Sequence, residues 1–173
     1  MRGTPQGTGG AGFVLRVLTP ADPADWPLWR DARLAALADA PYAFTARPAD
    51  WSAGGEQEWR ARFARTDALH VVAVGADGRP AGLAGGVPGA GPDAGAVSEL
   101  RSVWVGPRAR GRGVGDGLLG AVEGWARRRG SAWLRLGVLP GNTAAVALYR
   151  RHGFVDAHGS GGPERVMVKR LTA

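Results

Sequence analysis

The 173-residue sequence contains no cysteine. Disulfides, Cys-ligated zinc and a thiol nucleophile are therefore excluded. The three histidines, His70, His152 and His158, are scattered without the spacing of a metal site, so no metal is expected. No Gly-x-Ser-x-Gly turn exposes a serine nucleophile, which favours direct group transfer over a covalent intermediate. No apolar run approaches the roughly 20 residues that span a bilayer, and no membrane partner is expected. The stretch from Met1 to Gly12 is rich in Gly and Thr and lacks the apolar core of a secretory signal. Residues 1–11 read as a flexible tail, and the expected compartment is the cytoplasm.

What is present suits one domain, over residues 12–173: the length is too short for two well-buried cores, and 45% hydrophobic with 21% charged residues is ordinary globular composition. The net charge of +7 is unevenly placed. Residues 1–100 hold nine Arg against eleven acids, whereas 101–173 hold twelve Arg and one Lys against four acids. A basic second half suits a polyanionic small molecule or a nucleic acid. No nucleic-acid reader motif accompanies it, and Arg127-Arg128-Arg129 stand where cations favour a helix end. No nucleic-acid partner is therefore expected.

The apolar run Phe13–Leu18 predicts a first strand, closed by Thr19-Pro20. Trp26, Trp29, Arg33, Leu34 and Leu37 recur at helical spacing and predict a helix over 22–39, with Asp22 or Asp25 available to cap it. An aromatic, Pro-containing loop is expected from Pro41 to Trp51. A second helix over 56–65 then places Trp59 and Phe63 on one face. Segments 69–74 and 81–87 flank an Asp77-Gly78 turn and predict an antiparallel hairpin. A strand over 96–105, a helix over 113–129, a strand over 133–139, a helix over 143–151 capped by Asn142 and a closing strand pair complete the order. The fold class is α/β (α+β), with about seven strands and four helices.

Between the fourth strand and the third helix lies Arg110-Gly111-Arg112-Gly113-Val114-Gly115. Glycines bring backbone N–H groups close to an anion, and a following helix N-terminus adds free donors and the positive end of a dipole. A tight packing turn would need the same glycines. A P-loop is excluded because the loop has no lysine, and a dinucleotide fingerprint is excluded because the glycine spacing is wrong and no carboxylate lies near 131–135.

Arg110, Gly113 and Gly115, preceded by Val103-Trp104-Val105-Gly106-Pro107 and followed by Asn142, Ala145, Leu148, Tyr149 and Gly153-Phe154, resemble the two motifs of the GNAT superfamily of N-acetyltransferases over roughly residues 96–158. The resemblance implies a mostly antiparallel mixed sheet splayed between strands 4 and 5, with a bulge near the splay. It implies acetyl-CoA as co-substrate and contacts from Val103, Trp104, Val105, Arg110, Gly111, Arg112, Gly113, Val114, Gly115, Asp116, Asn142 and Tyr149. Val103 and Val105 would act through their backbone. Tyr149 matches the tyrosine that protonates the departing thiolate. Glu99, eleven positions before Arg110, stands where some relatives place a general base, and a solvated strand-edge role is the alternative for it. Asp116 departs from the pattern, because a carboxylate facing the phosphates would repel them.

An acceptor pocket is implied near Tyr42, Phe44, Trp51 and the loop 159–164, but the acceptor amine is not named. Two functions follow: acetyl transfer from acetyl-CoA to a primary amine of a small molecule or a peptide, or a non-catalytic acyl-CoA-binding or regulatory module. A monomer or homodimer is expected.

Overall fold

The structure, a computed structural model, describes residues 12–44, 46–159 and 161–171; the expected tail over residues 1–11 and Ser160 lie outside them. The chain runs β1 (Phe13–Leu18), α1 (Asp25–Asp39), a 3-10 turn (Pro41–Ala43), α2 (Pro48–Ser52), α3 (Glu56–Phe63), β2 (Leu69–Gly75), β3 (Pro80–Pro88) and β4 (Val97–Val105). It continues with a second 3-10 turn (Pro107–Ala109), α4 (Val114–Arg128), β5 (Trp133–Val138), α5 (Thr143–Arg151), β6 (Val155–Asp156) and β7 (Arg165–Arg170). The strands form one sheet in the order β1-β2-β3-β4-β5-β7-β6. Every neighbouring pair is antiparallel except β4 with β5. The mixed, mostly antiparallel seven-stranded sheet thus agrees with the expectation.

Two apolar layers cover the sheet. On one face, Trp29, Ala32 and Ala36 of α1 and Trp59 and Phe63 of α3 pack on Leu18, Val72, Leu83 and Trp104. On the other, Val114, Leu118, Val122 and Ala126 recur every fourth residue along α4 and meet Val71, Ala73 and Ala84. Strand β2 is buried on both faces, which is why its Val-Val-Ala-Val run does not alternate with polar residues. Strand β3 lies close beneath α4: a Cβ at Gly82 would fall 2.8 Å from Val114, and one at Gly86 2.7 Å from the Trp125 ring. These glycines set the distance between helix and sheet and hence the position of the α4 N-terminus.

Three expectations need correction. A fifth helix, α2, and a 3-10 turn occupy the segment read as a loop; α2 is only five residues long and opens on Pro48. Neither Asp22 nor Asp25 caps α1, which starts at Asp25 with no side-chain cap. Asp25 is buried in the first turn and instead accepts hydrogen bonds from the Thr19 N–H and Arg16, both at 2.9 Å, fixing the end of β1 to the helix. The helix over residues 56–65 ends at Phe63, two residues early.

Candidate active site

Strands β4 and β5 pair only where Val97–Glu99 meet Trp133–Arg135. Beyond Glu99 they diverge, so the edge of β4 that faces β5 has no strand partner from Leu100 to Val105, while its other edge stays bonded to β3. The cause is a bulge: Gly85 pairs with Arg101 but Leu83 pairs with Trp104, which puts one extra residue into β4. Ser102 takes it up with φ of 58°, the only positive φ outside glycine among the described residues. A bulge bends its strand and increases the twist, and here it opens the sheet between strands 4 and 5, as the motif resemblance implied. Arg33 of α1 supports the bulge, its Nη1 donating to Ser102 Oγ at 2.8 Å.

The loop after β4 is held by its own arginine. Arg110 Nε donates to the Val105 carbonyl at 3.1 Å, and Nη2 pairs with Asp39 at the end of α1. Asp39 also accepts from Trp104 Nε1 at 2.9 Å. Arg110 therefore shapes the loop, and its charge is already matched by a carboxylate. Gly111 and Gly113 have φ of 73° and 79°, left-handed values that cost other residues strain. Gly115 serves packing instead: a Cβ there would meet Leu148 of α5 at 3.1 Å. The first α-helical bond of α4 runs from Gly117 N–H to Gly113 O, so the N–H groups of Val114, Gly115 and Asp116 have no acceptor within the helix.

Two hollows meet at the splay. A groove of about 570 Å³ follows Val105, Arg110, Gly111, Gly113 and Gly115 on one side and Leu148 and Arg151 of α5 on the other. A cavity of about 430 Å³ lies deeper between the strands and is lined by Glu99, Ser102, Tyr149 and Glu164 among others. Val103 and Asn142 line both hollows. Asn142 also caps α5, its Oδ1 accepting from the Ala145 N–H at 3.3 Å. Tyr149 is 6% exposed and packs edge-on against Phe154, and burial holds its phenol well above the ordinary range. It is a neutral O–H at every working pH. Glu99 pairs with Arg101 at 2.6 Å.

The acetyltransferase (GNAT) family matches residues 32–154. The chain belongs to the GNAT acetyltransferase family. It is 34% identical to a streptothricin acetyltransferase of Streptomyces lavendulae over 153 residues, covering 84% of this chain and 64% of that protein. The chain spans between a third and two thirds of the length of the curated relatives it matches. Among solved structures it resembles a Gcn5-related N-acetyltransferase from Kribbella flavida, with a TM-score of 0.71, 27% identity and coverage of 92% of this chain and 98% of that one. It also shares the fold of yncA, a putative acetyltransferase from Salmonella typhimurium solved with acetyl-CoA, at a TM-score of 0.65, 21% identity and coverage of 93% and 95%.

Within this GNAT framework, the residues expected to bind co-substrate or to catalyse divide into three groups. Val103, Trp104, Val105, Arg110, Gly111, Gly113, Val114, Gly115, Asp116 and Asn142 line the groove. Tyr149 and Glu99 line the cavity. Arg112 lines neither; with Arg108 and Pro107 it borders a separate depression on the far side of the loop. The Trp104 ring is buried under α1, so its contribution to the groove is through the strand. Asp116 is held by Arg151 at 2.9 Å and His152 at 2.7 Å, and hydrogen bonds from His152 and then Arg151 keep its carboxyl below the ordinary range. Its charge is thus balanced by α5, which answers the repulsion expected of an acid in the first turn of α4.

Sequence reading left two cavity residues without a role: Glu164, which it placed only in the loop beside the implied acceptor pocket, and Arg33. Glu164 lies over Gly137 of β5, where a Cβ would come 2.5 Å from its Oε2, so the glycine makes room for the carboxylate. Arg33 was read as one more residue of an amphipathic helix. A lone glycine in an alternating strand is the one signal that could have flagged the first. The arginine's position on the inward face of α1 could have flagged the second.

Proposed function

We propose that the chain transfers an acetyl group from acetyl-CoA to a primary amine by direct attack in a ternary complex. The observation that carries this is the junction at Val103 and Asn142, where a groove along the glycine loop and the first turn of α4 meets a cavity lined by a neutral phenol and two carboxylates. The residues fit the co-substrate. The pyrophosphate would lie against the free N–H groups at the start of α4, in a loop whose left-handed glycines leave the backbone open. The pantetheine amides would pair with the bare edge of β4 at Val103 and Val105.

The thioester then sits where groove and cavity meet. The amine nitrogen forms the new C–N bond, and a backbone N–H beside the bulge stabilises the oxyanion. As the C–S bond breaks, the amine proton passes to Glu99, directly or through a water, and the Tyr149 hydroxyl gives its proton to the thiolate. Glu164 is a second candidate base, because it has no ion-pair partner among the described residues whereas Glu99 is held by Arg101. Among the described residues no cluster of His, Asp and Glu could hold a metal ion, and no helix is long and apolar enough to cross a membrane.

Incubation with acetyl-CoA and a panel of amines, with free thiol followed, tests the proposal. Amine-dependent thiol release supports it. Tight acetyl-CoA binding without release across the panel would favour a non-catalytic acyl-CoA-binding module.

A further inference from the structure

The cavity is lined by more cations than carboxylates. Arg33, Arg101 and Arg135 line it together with Glu99 and Glu164. Arg101 is matched by Glu99. Arg135 has no carboxylate within ion-pair distance among the described residues.

Arg33 is the unusual one. It is 8% exposed, and its hydrogen bond to Ser102 Oγ is its one polar contact among the described residues. Its Nε is buried without an acceptor. The other carboxylates of α1 do not compensate it: Asp25 is engaged by Arg16, Asp31 by Arg30 and Asp39 by Arg110. The guanidinium stacks on Trp51 at 4.5 Å and Phe44 at 5.1 Å, faces that fix its plane but supply no negative charge. Burial pulls it down to about 10, which leaves it a cation at neutral pH. Buried cations are ordinarily paired with an anion, and this one borders the cavity in which the acceptor must sit.

Resting on the acetyl-transfer reading, we infer that the acceptor is a small amine carrying a carboxylate close to its nitrogen, and that Arg33 is the residue that binds this carboxylate. Closeness follows from position: Arg33 bonds Ser102, the neighbour of Val103, where groove and cavity meet. A volume of about 430 Å³ has room for an amino acid. A polycationic acceptor would face Arg33 and Arg135 and leave the buried cation unmatched. The Trp51 ring, with the guanidinium groups of Arg33 and Arg62 each 4.5 Å from its centroid, ties the short helix α2 to this anchor.

The test compares kcat/KM for α-amino acids with that for their α-carboxamides and decarboxylated amines, in wild type, Arg33→Gln and Arg33→Lys. A hydrogen-bonded charged group predicts a preference for the acids of about 10- to 100-fold in wild type, expressed in KM. In Arg33→Gln the acid-to-amide ratio falls towards one, and Arg33→Lys recovers part of it. Loss of folded protein cancels from a ratio measured within one preparation, and the wild-type ratio decides the matter should Arg33→Gln fail to fold. Equal or better use of amides or polyamines by wild type, a ratio unchanged in Arg33→Gln, or acetyl-CoA binding without transfer to any acid would overturn the inference. Absence of acetyl-CoA binding altogether would instead remove the transferase reading on which it rests.

Discussion

At the scale of single residues, two side chains differ sharply from their behaviour in water. The Tyr149 phenol is kept neutral by burial, so it remains a proton donor up to alkaline pH. Tyr149→Phe removes the hydroxyl while keeping the ring contact with Phe154. It is expected to lower kcat by about 100-fold or more and leave acetyl-CoA binding intact; steady-state rates beside a binding titration check this, and an unchanged kcat would take Tyr149 out of the mechanism. His70 is packed against Trp29 and Phe63 with Nε2 unpartnered, and burial, with a smaller contribution from Arg65, pulls its imidazole down to about 4. The folded state therefore holds it neutral, while the unfolded chain takes up a proton below about 6.5. The stability involved is present above pH 6.5 and lost as pH falls towards 4, on the order of 2–3 kcal/mol. Urea denaturation across that range should show His70→Phe with a shallower acid loss than wild type. Tyr149 and Asn142 were legible in the sequence because they belong to a spaced motif. Arg33 was not, and Glu164 was legible only as part of the loop beside the acceptor pocket, since what marks them is a contact to Ser102, sixty-nine positions away, and a seat above Gly137.

At the scale of elements, the site depends on where α4 begins, and that depends on β3. Gly82 lies against Val114 and Leu118 at Cβ distances of 2.8 and 2.9 Å, with the Trp104 carbonyl at 3.0 Å. Gly82→Val should lift the first turn of α4 off the sheet and cost about 1–3 kcal/mol by overpacking. Thermal unfolding combined with acetyl-CoA titration would show both losses together. Gly113→Ala differs, because nothing lies within 4 Å of its Cβ position but its backbone is left-handed. The expected cost is about 1–2 kcal/mol of strain, relieved by a change of loop shape that weakens binding. Periodicity and turn chemistry were enough to read the strands, α1, α3, α4 and α5. They failed at α2, whose five residues complete barely more than one helical turn, and at the start of α1, where Asp25 serves β1 instead of capping the helix. The bulge at Ser102 has no local signature either, since no glycine occupies the left-handed position.

At the scale of the whole molecule, the helices on the two faces of the sheet make the splay usable. α1 brings Asp39 to the glycine loop and Arg33 to the cavity from one face, while α4 and α5 bring the free N–H groups, Asn142 and Tyr149 from the other. The net charge of +7, concentrated in the second half of the sequence that also supplies the loop, adds long-range attraction for a polyanionic co-substrate. A ligand that binds only the folded state raises its stability by about 2.7 kcal/mol at one hundred times Kd. Isothermal titration of the full chain with acetyl-CoA tests the central claim most directly. The account predicts saturable one-to-one binding, weakened in Gly113→Ala; a folded wild-type chain giving no binding heat and no shift in Tm at saturating acetyl-CoA would contradict it.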